Sequence, residues 1–139
     1  MSKVLVVEDD SSTAELIKFT LVTKGIVVDV AGDGGEALKK VRINTPDLII
    51  LDIMLPTMDG YQVCAFIKHN VMWQDIPIIM LSAKVQREDI SRGIEKGADD
   101  YVTKPFDPEK LLEKILFFLS KKGSKKEGYH NGRVVQEVK

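Results

Sequence analysis

The chain has 139 residues, 44% hydrophobic and 29% charged, with a formal net charge of −1. That length suits a single domain, and the near-neutral charge favours neither nucleic acid nor a membrane surface as a partner. One cysteine, Cys64, excludes an internal disulfide, and no apolar stretch is long enough to span a bilayer or form a secretory leader, so we expect a cytoplasmic protein.

Predicted strands and helices alternate along the whole chain. The strands are short apolar segments, at residues 4–7, 26–30, 48–51, 78–81 and 101–102. An amphipathic helical segment follows each strand. The first runs from Ser11 to Gly25, and Ser11 and Ser12 can cap its start. The others run from Asp33 to near Pro46 and over residues 58–68, 85–96 and 108–119.

This alternation predicts an α/β fold with a doubly wound, five-stranded parallel sheet and helices on both faces. The first, third and fourth strands consist almost entirely of Val, Ile, Leu and Met, which is typical of strands buried on both sides. We assign residues 1–121 to this domain. Residues 122–139 are polar and rich in Gly and Lys at their start, which predicts a flexible tail.

Polar residues stand where four of the strands end. These are Glu8 and Asp9 after the first strand, Asp52 at the third, Ser82 at the fourth and Lys104 after the fifth. The carboxyl ends of parallel strands meet at one edge of an open sheet, which is where ligands bind. Clustered carboxylates suit Mg²⁺, and a lysine and a hydroxyl suit a phosphoryl group, so the set predicts phosphoryl transfer onto Asp52. Taken singly, the acids could instead cap the next helix, but their convergence favours a site.

Four motifs carry a family resemblance. They are Val-Val-Glu-Asp-Asp at 6–10, Leu-Asp-Ile-Met-Leu-Pro-Thr-Met-Asp-Gly at 51–60, Leu-Ser-Ala at 81–83 and Gly-Ala-Asp-Asp-Tyr-Val-Thr-Lys-Pro-Phe at 97–106. In order and spacing they closely resemble the receiver domains of two-component response regulators, the chemotaxis regulators among them. The resemblance covers about residues 3–121 and implies a flavodoxin-like sheet in the order 2-1-3-4-5.

The resemblance also implies the acceptor and its metal. Asp52 accepts the phosphoryl group from a phosphohistidine. Asp9, Asp52 and the backbone carbonyl of Met54 bind Mg²⁺, with Mn²⁺ as the alternative, and Glu8 supports the metal through water.

A second group of residues is implied to contact the phosphoryl group and to transmit the change. Lys104 contacts it, and the peptide bond from Lys104 to Pro105 is expected to be cis. Ser82 is the switch hydroxyl, the backbone of Ala83 faces the phosphoryl group, and Tyr101 is the switch aromatic.

These residues predict a signalling switch that changes its partner-binding surface, not an enzyme that turns over external substrates. The implied partners are a sensor histidine kinase or a phosphotransfer protein and an unidentified output protein, with no direct nucleic acid binding and no membrane. One alternative is the receiver part of a longer transcription factor whose output domain is absent here, although Lys110 stands where OmpR-like regulators usually carry an acid. Another is a Mg²⁺-dependent phosphatase or phosphotransferase acting on small molecules.

Overall fold

The structure, a computed structural model, describes residues 1–83 and 87–126, and within them the side chains of all but residues 87–90 and 122–126. In that part of the chain, strands and helices alternate as predicted. The strands are β1 (Lys3–Val7), β2 (Val27–Ala31), β3 (Leu48–Asp52), β4 (Ile78–Ser82) and β5 (Asp100–Thr103). The helices are α1 (Ser11–Val22), α2 (Gly34–Ile43), α3 (Gly60–Lys68), α4 (Arg87–Glu95) and α5 (Pro108–Lys126).

The five strands form one parallel sheet in the order β2-β1-β3-β4-β5, which confirms the predicted fold class. The register aligns the strand ends, because Asp52 is opposite Leu81 and Ser82 is opposite Thr103. The residues that follow β1, β3, β4 and β5 therefore meet at one edge of the sheet.

Alternate residues of the central strands pack into two separate cores. In β1, Leu5 and Val7 face the core under α2 and α3, while Val4 and Val6 face the core under α1 and α5. Strands β3 and β4 divide their residues in the same way, which explains why their sequences are apolar throughout. Each fully buried Val, Leu or Ile contributes about 1.5–3 kcal/mol to folding, so the two cores stabilise the sheet whose edge carries the polar residues.

Several element boundaries and one helix cap differ from the sequence prediction. Strand β2 is shifted by one residue, because the Ile26 amide donates to the Leu21 carbonyl at the end of α1 and pairing with β1 begins at Val27. Helix α1 begins at Ser11 with Asp10 at the cap position, so neither Ser11 nor Ser12 caps it.

Helix α3 begins at Gly60, two residues later than predicted, because Asp59 and Gln62 form a capping box. The Asp59 side chain accepts from the Gln62 amide, and the Gln62 side chain accepts from the Asp59 amide, each at 3.0 Å. Such reciprocal capping satisfies two helix N–H groups and defines the first turn.

Helix α5 extends further along the chain than predicted. Helix α5 continues to Lys126, five residues into the segment expected to be a tail. Lysine is a good helix former, so a lysine-rich segment can extend a helix that is already packed. The remainder of the predicted tail, 127–139, and Val85 at the predicted start of α4 lie outside the described residues.

Candidate functional site

Three carboxylates meet at the carboxyl edge of the sheet. One oxygen each from Glu8, Asp9 and Asp52 lies within 4.8 Å of the others. Glu8 and Asp52 are 2% and 3% exposed, whereas Asp9 is open to solvent. Strands β1 and β3 are adjacent in the sheet, so the residues at their ends are held together by the backbone ladder.

Asp10 does not belong to this group. It is exposed at the cap position of α1, and its carboxylate accepts a hydrogen bond from the Thr13 hydroxyl at 2.5 Å. That hydrogen bond is the main reason why the pKa of Asp10 is lowered. The Asp10 amide donates to Glu8 Oε2 at 3.1 Å, so the main chain of Asp10 helps to hold the buried carboxylate in place.

Lys104 supplies the opposing charge. It follows β5, and its Nζ lies 2.8 Å from Glu8 Oε1 and 3.3 Å from Asp52 Oδ2. Burial disfavours the ammonium, but the contacts with Glu8 and Asp52 outweigh it and raise the pKa of Lys104. The peptide bond between Lys104 and Pro105 is cis, as the family resemblance implied.

The pKa of the Glu8 carboxylate is raised to about 7. Burial is the largest cause of this rise and Asp52 adds to it, whereas the contact with Lys104 lowers the pKa. Although Glu8 Oε1 is close to Lys104, this buried oxygen accepts no well-formed hydrogen bond from the described residues. A buried, incompletely satisfied carboxylate oxygen beside two other carboxylates suits a hard divalent cation, which prefers oxygen ligands.

The residues predicted to act as the switch lie on β4, directly after it and on β5. Ser82 is buried at the end of β4, and its carbonyl accepts from the Lys104 amide at 2.8 Å. Ala83 follows and is exposed. Tyr101 is half-buried on β5, where it pairs with Met80 and packs against the core under α2 and α3, with its ring near Gly93 of α4.

Met54 lies beside Asp52 on the solvent-exposed side of the site. Its amide donates to Asp52 Oδ1 at 3.2 Å, and its side chain is 61% exposed. Gly60, which ends the second motif, was not predicted from the sequence to have a role in the site. Its position next to the Asp52 main chain leaves no room for a side chain. The Asp-Gly pair at 59–60, directly after a loop, was the available signal.

The chain matches the model of the response regulator receiver domain over residues 4–116. It is 44% identical over 113 residues to the DNA-binding response regulator MtrA of Mycolicibacterium smegmatis, covering 81% of this chain and 48% of MtrA. It is also 44% identical over 117 residues to the alkaline phosphatase synthesis transcriptional regulatory protein PhoP of Bacillus subtilis, covering 84% of this chain and 48% of PhoP. The chain thus spans about half the length of these relatives.

Solved structures give the same likeness. A CheY-like response regulator receiver domain protein from Methanospirillum hungatei superimposes with a TM-score of 0.84 at 29% identity, over 90% of this chain and 98% of that one. Among the described helices, none is long and apolar enough to cross a membrane.

Proposed function

The chain belongs to the response regulator receiver domain family, and from this premise we propose that Asp52 is its phosphoryl acceptor. The observation that supports this choice is the placement of Asp52, a buried carboxylate that shares a cluster with Glu8 and Asp9 and has the Lys104 ammonium 3.3 Å away. The phosphoryl group would come from a sensor histidine kinase or a phosphotransfer protein.

The transfer is a substitution at phosphorus. An Asp52 carboxylate oxygen attacks, a new P–O bond forms, and the bond from phosphorus to the donor imidazole nitrogen breaks with its electron pair returning to the imidazole. The product is an acyl phosphate. Lys104 is in place to balance the phosphoryl charge, and the burial of Asp52 restricts the approach of water.

Mg²⁺ is the cation that this donor set fits best, with Mn²⁺ as the alternative. We assign Asp9, Asp52 and the backbone carbonyl of Met54 as its protein ligands, with Glu8 acting through water. When bound, the cation would neutralise charge on the carboxylates and the phosphoryl oxygens. The chain's own contribution is to hold the three carboxylates within reach of one another before the donor arrives.

The conformational change caused by phosphorylation would be transmitted from the site through β4 and β5. We assign Ser82, which is buried at the end of β4, and the backbone of Ala83 as the contacts of the phosphoryl oxygens. The half-buried Tyr101 would rotate inward when the Ser82 hydroxyl moves. Full switching of a two-state equilibrium needs about 5.5 kcal/mol. A hydrogen bond to a charged group contributes only about 1.5–3 kcal/mol, so Lys104 and the metal must share the coupling.

The surface that changes would comprise α4, β5 and α5. There Lys114 pairs with Asp100 at 2.9 Å, Lys110 is exposed, and the 57% exposed Phe117 stacks edge-on against Phe118. Cationic and aromatic groups together are typical of a protein-binding face. We also place Arg87 on this surface, although its side chain lies outside the described residues.

A second candidate is the receiver part of a longer transcription factor. MtrA is named as a DNA-binding response regulator and PhoP as a transcriptional regulatory protein, and the chain matches only about half of each. In that case the output domain would follow the receiver in the same polypeptide. The reading frame downstream of Lys139 in the genome distinguishes this candidate from a switch that acts on a separate output protein.

Labelling with acetyl phosphate and Mg²⁺ tests the acceptor. We expect one acid-stable, base-labile phosphoryl group per chain, detected by intact-protein mass spectrometry, and no labelling of Asp52→Asn. Asp10→Asn is the matched control, since it removes an exposed acid near the same edge and should label like the wild type. Equal labelling of Asp52→Asn would exclude Asp52 as the acceptor.

A further inference from the structure

A groove between α3 and α4, separate from the acidic site, has the features of a ligand-binding site. We propose that it binds a small organic anion that carries a flat aromatic ring. Its volume is about 560 Å³, within the range of about 300–1,000 Å³ that small-molecule sites occupy. None of its described lining residues belongs to the carboxylate cluster or contacts Lys104.

Aromatic side chains form the apolar part of the groove. The Arg92 guanidinium of α4 lies 4.4 Å from the ring centroid of Tyr61 on α3, in a cation–π contact. Phe66, one helical turn further along α3, is 50% exposed, and its ring centroid is 6.4 Å from that of the buried Trp73. Tyr61 itself is 1% exposed and lies behind the Arg92 guanidinium. A flat ring that enters the groove would therefore meet the exposed Phe66 and the outer face of that guanidinium.

The charged side chains that line the groove favour a negatively charged ligand. Arg92 and Lys96 are exposed on α4, and no described residue that lines the groove carries a carboxylate. Glu95, next to Lys96 in sequence, is exposed on α4 but does not line the groove, and Asp99, after the helix, pairs with Lys68 at 2.9 Å. His69 Nδ1 lies 2.7 Å from the Ala65 carbonyl, which fixes the ring orientation at the rim.

An anionic group can therefore meet two cations while its ring lies against Phe66 and the Arg92 guanidinium. The guanidinium of Arg92 is suited to both parts of such a ligand, because it stacks on aromatic rings and donates two parallel hydrogen bonds to a carboxylate or phosphate. This combination favours an aromatic anion over a neutral aromatic compound and over a simple inorganic anion.

Three matched probes test the proposal in an NMR titration of the ¹⁵N-labelled full chain without Mg²⁺. They are 2-naphthoate, which has the ring and the charge; 2-naphthol, which has the ring alone; and acetate, which has the charge alone. We expect 2-naphthoate to shift amides within 61–70 and 91–97 and to bind at least about fivefold more tightly than 2-naphthol, a difference of about 1 kcal/mol. Acetate should leave these amides unshifted.

Variants test the assigned cations. The double substitution Arg92→Ala and Lys96→Ala should weaken 2-naphthoate binding by at least about fivefold, as expected for the loss of two solvent-exposed charge contacts. Lys39→Ala, which removes an exposed lysine from α2, should leave the affinity unchanged. Equal affinities for 2-naphthoate and 2-naphthol, an unaffected double variant, or shifts confined to the acidic site would each overturn the proposal.

Discussion

Gly60 lies so close to the main chain of Asp52 that a Cβ atom at position 60 would be 2.3 Å from the Asp52 carbonyl oxygen. The Gly60 amide also donates to the Ile53 carbonyl at 2.8 Å. The first turn of α3 is thus attached directly to the strand end that carries the proposed acceptor. A side chain at this position must displace either the helix or the strand.

The first prediction follows from this contact. Gly60→Ala should lower the free energy of unfolding by about 1–3 kcal/mol, the usual cost of overpacking a core, as measured by urea denaturation. It should also slow labelling by acetyl phosphate, because the Asp52 main chain must shift. Gly35→Ala is the matched control in the first turn of α2, where the nearest atom to a new Cβ is 3.4 Å away. If both variants are equally stable, the Gly60 contact does not constrain the site.

The second prediction separates the two acids that follow Glu8. Asp9→Ala should weaken Mg²⁺ binding more than Asp10→Ala does, measured by calorimetry, because only Asp9 lies in the carboxylate cluster. The carboxylate of Asp10 accepts from Thr13 instead. Asp10→Ala serves as the control for the general loss of one negative charge near the site. The reverse order of affinities would place the metal ligand one residue further along the chain.

The third prediction concerns the lifetime of the acyl phosphate. The Met54 side chain is 61% exposed beside Asp52 and cannot orient an attacking water by hydrogen bonding. We expect Met54→Asn to speed autodephosphorylation in a phosphate-release assay, and Met54→Leu to leave the rate near that of the wild type. An unchanged rate in Met54→Asn would show that this position does not control water access. Lys84, two residues after Ser82, is a second position that we expect to influence the lifetime, and it lies outside the described residues.

The fourth prediction tests the coupled switch. Addition of Mg²⁺ and beryllofluoride should shift amides around Asp52 and Lys104 and also those of residues 91–118, which form most of α4, β5 and α5. Tyr101→Phe should retain these shifts if ring movement alone carries the signal, while Tyr101→Ala should reduce them. Shifts confined to the loops around the site would mean that Tyr101 is a static boundary residue and that the surface does not change.

The architecture was accessible from the sequence because it depends on local patterns. Continuous apolar runs such as Ile78–Leu81 predict strands buried on both faces, and their alternation with amphipathic helices restricts the topology to a doubly wound sheet. Placement of polar residues at strand ends then identified Glu8, Asp9, Asp52 and Lys104 as neighbours, because the ends of parallel strands share one edge. The strand order itself came from the family resemblance.

Other features were not predicted from the sequence. The hydrogen bond from Thr13 to Asp10 and the capping box between Asp59 and Gln62 are local contacts that the sequence permits, and only the structure shows that they form. The groove that joins Tyr61 to Arg92 differs from these local contacts, since those residues are 31 positions apart and meet only because α3 and α4 lie side by side. The sequence by itself determined which elements form and at which edge of the sheet the polar residues gather. The packing of helices against the sheet decided which side chains from distant elements touch, because those contacts depend on inter-element geometry that residue spacing does not specify.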